Sequence, residues 1–126
     1  MKFVSMQYRT GADVNTIRRA LRTAIPKARV WDAEVTSLEE RPAIGVMIEK
    51  RLSLLAGTGL VKMLVHDRGS HRDIEVVAVA TTIAEGMMAG MARDTSGLRR
   101  MSDSKRLAAQ VATALRSAVP DWQLVS

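Results

Sequence analysis

The chain has 126 residues, a length that suits a single domain spanning 1–126. Apolar residues make up 47% of it and charged residues 25%, which is typical of a globular protein and excludes a disordered one. Cysteine is absent and histidine occurs twice, which excludes disulfides, thiolate chemistry and a His-rich zinc site. No apolar run approaches the ~18 residues of a membrane span. We therefore expect a soluble, cytoplasmic protein without a cofactor.

The chain is strongly basic. Its net charge is +6 and its isoelectric point is near 10.5. A basic surface raises the encounter rate with phosphate polymers and other anionic ligands. Many basic proteins bind no nucleic acid, however, so charge alone does not make a nucleic acid the favoured partner.

The first part of the chain predicts a strand followed by a helix. Apolar and polar residues alternate over 2–9, which indicates a half-buried strand. Thr10-Gly11-Ala12-Asp13 then fits the capping-box pattern, with Thr10 at the helix start. An apolar stripe follows over 14–25, and Pro26 ends the helix because proline cannot donate to the helical ladder.

A strand meander is predicted next. Residues 29–37 alternate, and so do residues 44–54 after a polar turn. A helix is an alternative for 44–55, because the apolar residues there also match a helical period. Strand is preferred, since Gly57 and Gly59 form a short loop into another β-rich segment.

The segment 60–82 predicts a β-hairpin closed by Gly69-Ser70, because glycine supplies the positive φ of a type II′ turn. Leu60 then pairs with Val79, and Asp67 with Arg72. His66 falls opposite Asp73, a second pair of opposite charge. One face of this hairpin is wholly apolar, and it comprises Val61, Met63, Val65, Ile74, Val76 and Ala78.

The last part of the chain predicts two helices and a short end. Residues 83–91 are rich in glycine, alanine and methionine with a helical pattern. After a polar connection, Ser102 or Asp103 is expected to cap a final helix that Pro120 ends. The residues that follow suffice for a short C-terminal strand.

This order, β-α-β-β-β-β-α with a possible short C-terminal strand, predicts an α+β fold. We expect a two-layer domain in which an antiparallel sheet of about five strands carries helices on one face. Helix-grip and TATA-box-binding-protein-like architectures share the order, which is an analogy of fold and carries no function.

Several motifs look catalytic but have a simpler interpretation. His66, Asp67, His71 and Asp73 crowd one hairpin, yet they point to different faces and favour an ion-paired turn over a metal site. Ser102 and Lys105 match S-x-x-K, but they stand where a helix cap belongs. A small hydrolase that works through Glu49, Glu75 or His66 ranks last among the functional interpretations.

Two sets of residues are the candidate contact sites. The first is a basic pair of helix faces suited to phosphate contacts, and it comprises Arg18, Arg19, Arg22, Arg99, Arg100, Lys105 and Arg106. The second is an apolar set on the mixed hairpin face and the methionine-rich segment, which suits a small apolar ligand or an interface. It comprises Leu60, Leu64, Val77, Val79, Met87, Met88 and Met91.

The composition and these sets favour a non-enzymatic binding or self-association module. Such a module would use the outer sheet face, or a cavity between sheet and helix, for a small apolar ligand or a protein partner such as a second copy. The alternative is a polyanion binder that uses the basic helix faces.

Overall fold

A computed structural model describes residues 2–36, 42–52, 57–81, 100–119 and 121–125 of the chain. Its helices and strands follow the predicted order closely. In chain order they are β1 (Lys2–Thr10), α1 (Val14–Ala24), β2 (Arg29–Thr36), β3 (Pro42–Arg51), β4 (Thr58–Asp67), β5 (Arg72–Ala80), α2 (Met101–Ala118) and β6 (Gln123–Leu124).

The strands form one antiparallel sheet in the order β2-β3-β4-β5-β1-β6. Both helices within these ranges pack on the same face of the sheet, here called the inner face, so the two-layer α+β prediction is confirmed. The segment 42–51 is a strand, as preferred over the helical alternative, and residues 53–55 of that alternative lie outside the described residues. The predicted helix over 83–91 lies outside the described residues.

The central hairpin has the predicted register. Leu60 pairs with Val79 and Asp67 with Arg72. Gly69 has a φ of 91°, in the region that glycine adopts without steric cost. The turn is closed by the backbone of Arg68, whose N–H donates to the carbonyl of His71 at 2.9 Å. Local turn chemistry and alternation therefore determine this part of the sheet.

The inner face of the sheet and the two helices enclose the main core. Tyr8 and Trp122 stack at one end of it, with ring centroids 4.7 Å apart. The other buried members are aliphatic or small, and they are Ile17, Leu21, Ile25, Val46, Ile48, Val61, Met63, Val65, Ile74, Val76, Leu107, Val111, Ala112, Leu115 and Val119. The six apolar hairpin residues predicted to share a face are all buried, and five of them belong to this core.

Both helices begin at residues other than those predicted. Asp13 caps α1 by accepting a hydrogen bond from the Thr16 N–H at 2.7 Å. The expected cap, Thr10, is still held in β1 by its pairing with β5, so the helix starts later. The cap of α2 is Arg100, which makes no side-chain capping bond. Ser102 and Asp103 lie in the first turn of that helix instead.

Ser104 connects α2 to the sheet. Its hydroxyl is fully buried, accepts a hydrogen bond from the Leu60 N–H at 3.0 Å and donates one to the Val79 carbonyl at 2.6 Å. Close by, the Cα of Gly59 lies directly under the helix, so an added Cβ would stand 2.8 Å from the Asp103 carbonyl oxygen. The N-terminal part of α2 is thus held tightly against β4 and β5.

Asp121 connects the C-terminal segment to the turn between β1 and α1. Its carboxylate accepts a hydrogen bond from the Thr10 hydroxyl at 2.6 Å and another from the Gly11 N–H at 2.7 Å. Those bonds hold the pKa of Asp121 below its usual 3.8, because they favour the charged form. The carboxylate is exposed, so its effect on stability is a modest one.

We expect Asp121→Asn to lower the melting temperature at neutral pH, because an amide offers one acceptor oxygen where two donors converge. A depressed carboxyl pKa contributes stability that is present above the unfolded value and is lost as pH falls through the folded value. The difference in melting temperature between the parent and the variant should therefore shrink below about pH 4. Thermal melts from neutral to strongly acidic pH measure it, and a difference that stays constant contradicts the role of this carboxylate.

Candidate ligand-binding cleft

A cleft of about 380 Å³ lies between the inner face of β1 and one flank of α2. We call it the β1–α2 cleft. It exists because α2 packs over β4 and β5 and does not reach across β1. Met6 and Val4 point toward the helix layer, yet they remain 43% and 41% exposed. A strand face that the sequence predicts as buried is therefore left partly open.

Small side chains provide the space in this cleft. The helix contributes Ala108, Ala109 and Ala112, and the neighbouring strand contributes Ala78 and Val76 as the floor. Leu107, Val111 and Leu115 lie on another side of the helix and are buried in the core. One helix thus presents large side chains to the core and alanines to the cleft.

Charged groups line the cleft only from the helix. Lys105 lies in the first part of α2 and Arg116 in its last turn, so they are separated by roughly 16 Å along the helix axis. Both side chains are exposed. No acidic side chain is among the described residues that line the cleft. The cleft is therefore apolar along its length with positive charge toward both ends.

Tyr8 and Thr113 supply hydroxyl groups in a wall that is otherwise apolar between the two charged ends. The Tyr8 side chain is 3% exposed, and the only bond its hydroxyl makes with a described residue is a weak one to the Met6 sulfur, at 3.8 Å. Burial raises the pKa of Tyr8 above its usual 10.0, and the nearby charge of Arg116 acts in the opposite direction. The hydroxyl therefore keeps its proton at neutral pH and remains a hydrogen-bond donor.

The predicted apolar set is split by the structure. Leu60, Leu64, Val77 and Val79 do come together on the outer face, where they form a second cluster with Met47. They are buried, so they contribute to the core of this structure and not to an exposed contact surface. The other members of that set, Met87, Met88 and Met91, lie outside the described residues.

The predicted basic set does not form one face. Arg18 reaches across to β2, where its guanidinium pairs with Asp32 at 3.0 Å. Arg19 and Arg22 are exposed on α1, and Arg100 is exposed at the cap of α2. Arg99 lies outside the described residues. The neighbours Lys105 and Arg106 line two different clefts on opposite flanks of α2.

The hairpin residues with catalytic potential are bound by neighbouring side chains. His66 lies opposite Asp73 in the register, as predicted, but its side chain contacts Glu75 on the outer face, with 3.1 Å between Nε2 and Oε1. Asp73 is bound by Arg9 at 3.0 Å and Arg68 at 3.1 Å. The predicted pair of Asp67 and Arg72 is present at 3.6 Å. The buried His66–Glu75 pair offers a substrate no approach in this structure, because each side chain is only 6% exposed.

Some residues of the β1–α2 cleft were absent from the predicted sites. Tyr8, Arg116 and the alanines of α2 belong to it, and only Lys105 was singled out. A signal for them exists in the sequence, because Lys105, Ala108, Ala112 and Arg116 recur at helical spacing. That stripe indicates a cleft only when the helix is known to face a strand that no other element covers.

Comparisons with known proteins add no identification. No family model matches the chain, and no match was found among curated proteins or solved structures. The likeness to helix-grip folds therefore stays an analogy. Within the described ranges, no helix is long and apolar enough to cross a membrane, and no group of three or more metal-ligating side chains occurs.

Proposed function

We propose that this chain is a non-enzymatic binding module that takes a small apolar ligand carrying one anionic group, such as a carboxylate, in the β1–α2 cleft. The observation that carries the proposal is an apolar cleft whose charged lining groups, among the described residues, are all positive. Its volume of about 380 Å³ falls in the range of small-molecule sites. An apolar wall with a few placed polar groups is the usual composition of such sites.

The polar groups suggest an orientation for the ligand. Arg116 and the Tyr8 hydroxyl are the pair of donors suited to a carboxylate, since a charged and a neutral donor lie near each other at one end. The apolar chain would then extend along Met6 and Val4 toward Lys105. The burial of the outer-face cluster favours this cleft over the outer sheet face as the place for an apolar ligand.

Decanoate is the probe that tests the cleft. We expect it to bind the full chain in isothermal titration calorimetry, and Ala108→Leu to weaken binding by about tenfold or more, because the larger side chain occupies ligand space. Ala20→Leu is the matched control, since it adds the same volume at a position of α1 that is half-buried, as Ala108 is, and lies outside this cleft. Equal binding by the two variants, both shown folded by thermal melts, would exclude the cleft.

The anionic end has its own test. Arg116→Gln should weaken decanoate by about tenfold, because it removes a charge-assisted hydrogen bond, and should leave decanol binding little changed. Arg22→Gln is the control, because it removes the same charge from an exposed position on the other helix. If decanoate binds no better than decanol, the anionic part of the proposal is wrong although the apolar part stands.

A further inference from the structure

A second cleft, of about 890 Å³, lies between the C-terminal end of α1 and the other flank of α2. We call it the α1–α2 cleft. Its lining includes Ala24, Ile25 and Pro26 at the end of α1, and Gln110 and Ser117 on α2. The two clefts are separate except at Ala109 and Thr113, which line both of them from the exposed side of α2.

Basic residues from three separate parts of the fold line this second cleft. Lys27 comes from the segment after α1, Lys50 from β3 and Arg106 from α2. They are distant in sequence, so folding alone brings them together. No acidic side chain is among the described residues that line the cleft, and none of these three basic residues has a carboxylate partner in an ion pair within the described part of the chain.

Hydrogen-bond donors accompany these charges. The Lys50 ammonium donates to Gln110 Oε1 at 3.1 Å, which fixes the Gln110 amide with its N–H groups unused by that bond. Thr113 and Ser117 add hydroxyl groups on the same flank of the helix. The C-terminal ends of both helices also lie here, and each carries roughly half a negative charge. Three full positive charges outweigh that contribution.

The composition of the lining indicates which anion fits. No aromatic side chain is among the described lining residues, so base stacking is not provided. Several cations with hydroxyl and amide donors suit phosphate oxygens. The volume is more than twice that of the β1–α2 cleft, so it can hold more than one phosphate group.

From this convergence we propose that the α1–α2 cleft is a binding site for neighbouring phosphate groups, recognised through Lys27, Lys50 and Arg106. The ligand chemistry is a run of at least two phosphates, whether it belongs to a small polyphosphate-bearing molecule or to a nucleic-acid backbone. This proposal does not rest on the carboxylate-binding cleft proposed above, and either site can exist without the other.

The test uses the full chain with two probes, tripolyphosphate and a short oligothymidylate. The site variant is the double change Lys27→Gln with Arg106→Gln, which keeps the Lys50–Gln110 bond. The control is Arg19→Gln with Arg22→Gln, which removes the same two charges from exposed positions of α1 outside the cleft. Isothermal titration calorimetry measures the binding of tripolyphosphate. Fluorescence anisotropy of a labelled strand measures the binding of the oligonucleotide.

We expect the site variant to weaken binding of at least one probe by about tenfold or more, and the control to weaken it by less than about threefold. Affinity should also fall between about 50 and 200 mM salt, since phosphate contacts release counterions. Binding of tripolyphosphate alone identifies a small ligand as the source, and binding of both probes adds the nucleic-acid backbone. Absence of binding by either probe at low salt, or equal losses in the two double variants, would overturn the site.

Discussion

Replacing Leu107 by alanine is expected to lower the free energy of unfolding by about 3 kcal/mol. Leu107 is fully buried in the inner-face core. Its Cβ lies only 2.9 Å from where a Cβ of Gly59 would stand, so the helix already rests on the strand backbone and cannot settle further to fill the space. A cavity that does not collapse costs both the lost burial and the lost contacts.

Urea denaturation measures this effect, with the slope of the transition showing whether the unfolded state has changed. Leu124→Ala is the control, because it deletes the same atoms from a side chain that is 55% exposed. The control should stay within about 0.5 kcal/mol of the parent. A loss below about 1 kcal/mol for Leu107→Ala would show that α2 is not packed on β4 as described.

The second large effect is expected for Ser104→Ala, which should lower the free energy of unfolding by about 2 kcal/mol. The serine hydroxyl bonds both the Leu60 N–H and the Val79 carbonyl in a place that water does not reach. Alanine removes both bonds and leaves two buried backbone groups without that partner, which costs their desolvation. The change in volume is small, so the loss reports the hydrogen bonds and not a cavity.

Ser102→Ala provides a close comparison, since Ser102 is exposed in the same turn of α2. Hydrogen exchange adds a local measurement, because the amide of Leu60 should exchange faster in Ser104→Ala than in Ser102→Ala. Similar stabilities for the two alanine variants would contradict the bridging role of the hydroxyl.

The fold was predictable where local chemistry determines it. Gly69 and the alternation on either side of it define a hairpin without knowledge of the rest of the chain, and the observed register agrees. Helix starts were less predictable. Thr10 has the side chain of a cap, but the pairing of β1 with β5 keeps its backbone extended, and Asp13 caps α1 instead. Tertiary structure overrides a local signal in that case.

The candidate site was much less predictable, because it depends on where α2 lies across the sheet. A helix over β4 and β5 leaves Val4 and Met6 open, whereas a helix over β1 would bury them. Lys105 and Arg106 also show that the sequence alone does not indicate which residues share a site. They are adjacent in sequence and look like one basic cluster, yet consecutive helical residues differ by about 100° around the axis, and each lines a different cleft.

One structural feature links the two clefts mechanically. Helix α2 is a common wall, with Ala109 and Thr113 belonging to both spaces. The Ser104 bridge anchors its N-terminal turn, and Leu115 and Val119 are buried near its far end. A lateral displacement of this shared wall would enlarge one compartment at the expense of the other. Occupants of the two compartments would therefore be antagonistic, and the antagonism would be equal in both directions because coupling free energies are reciprocal.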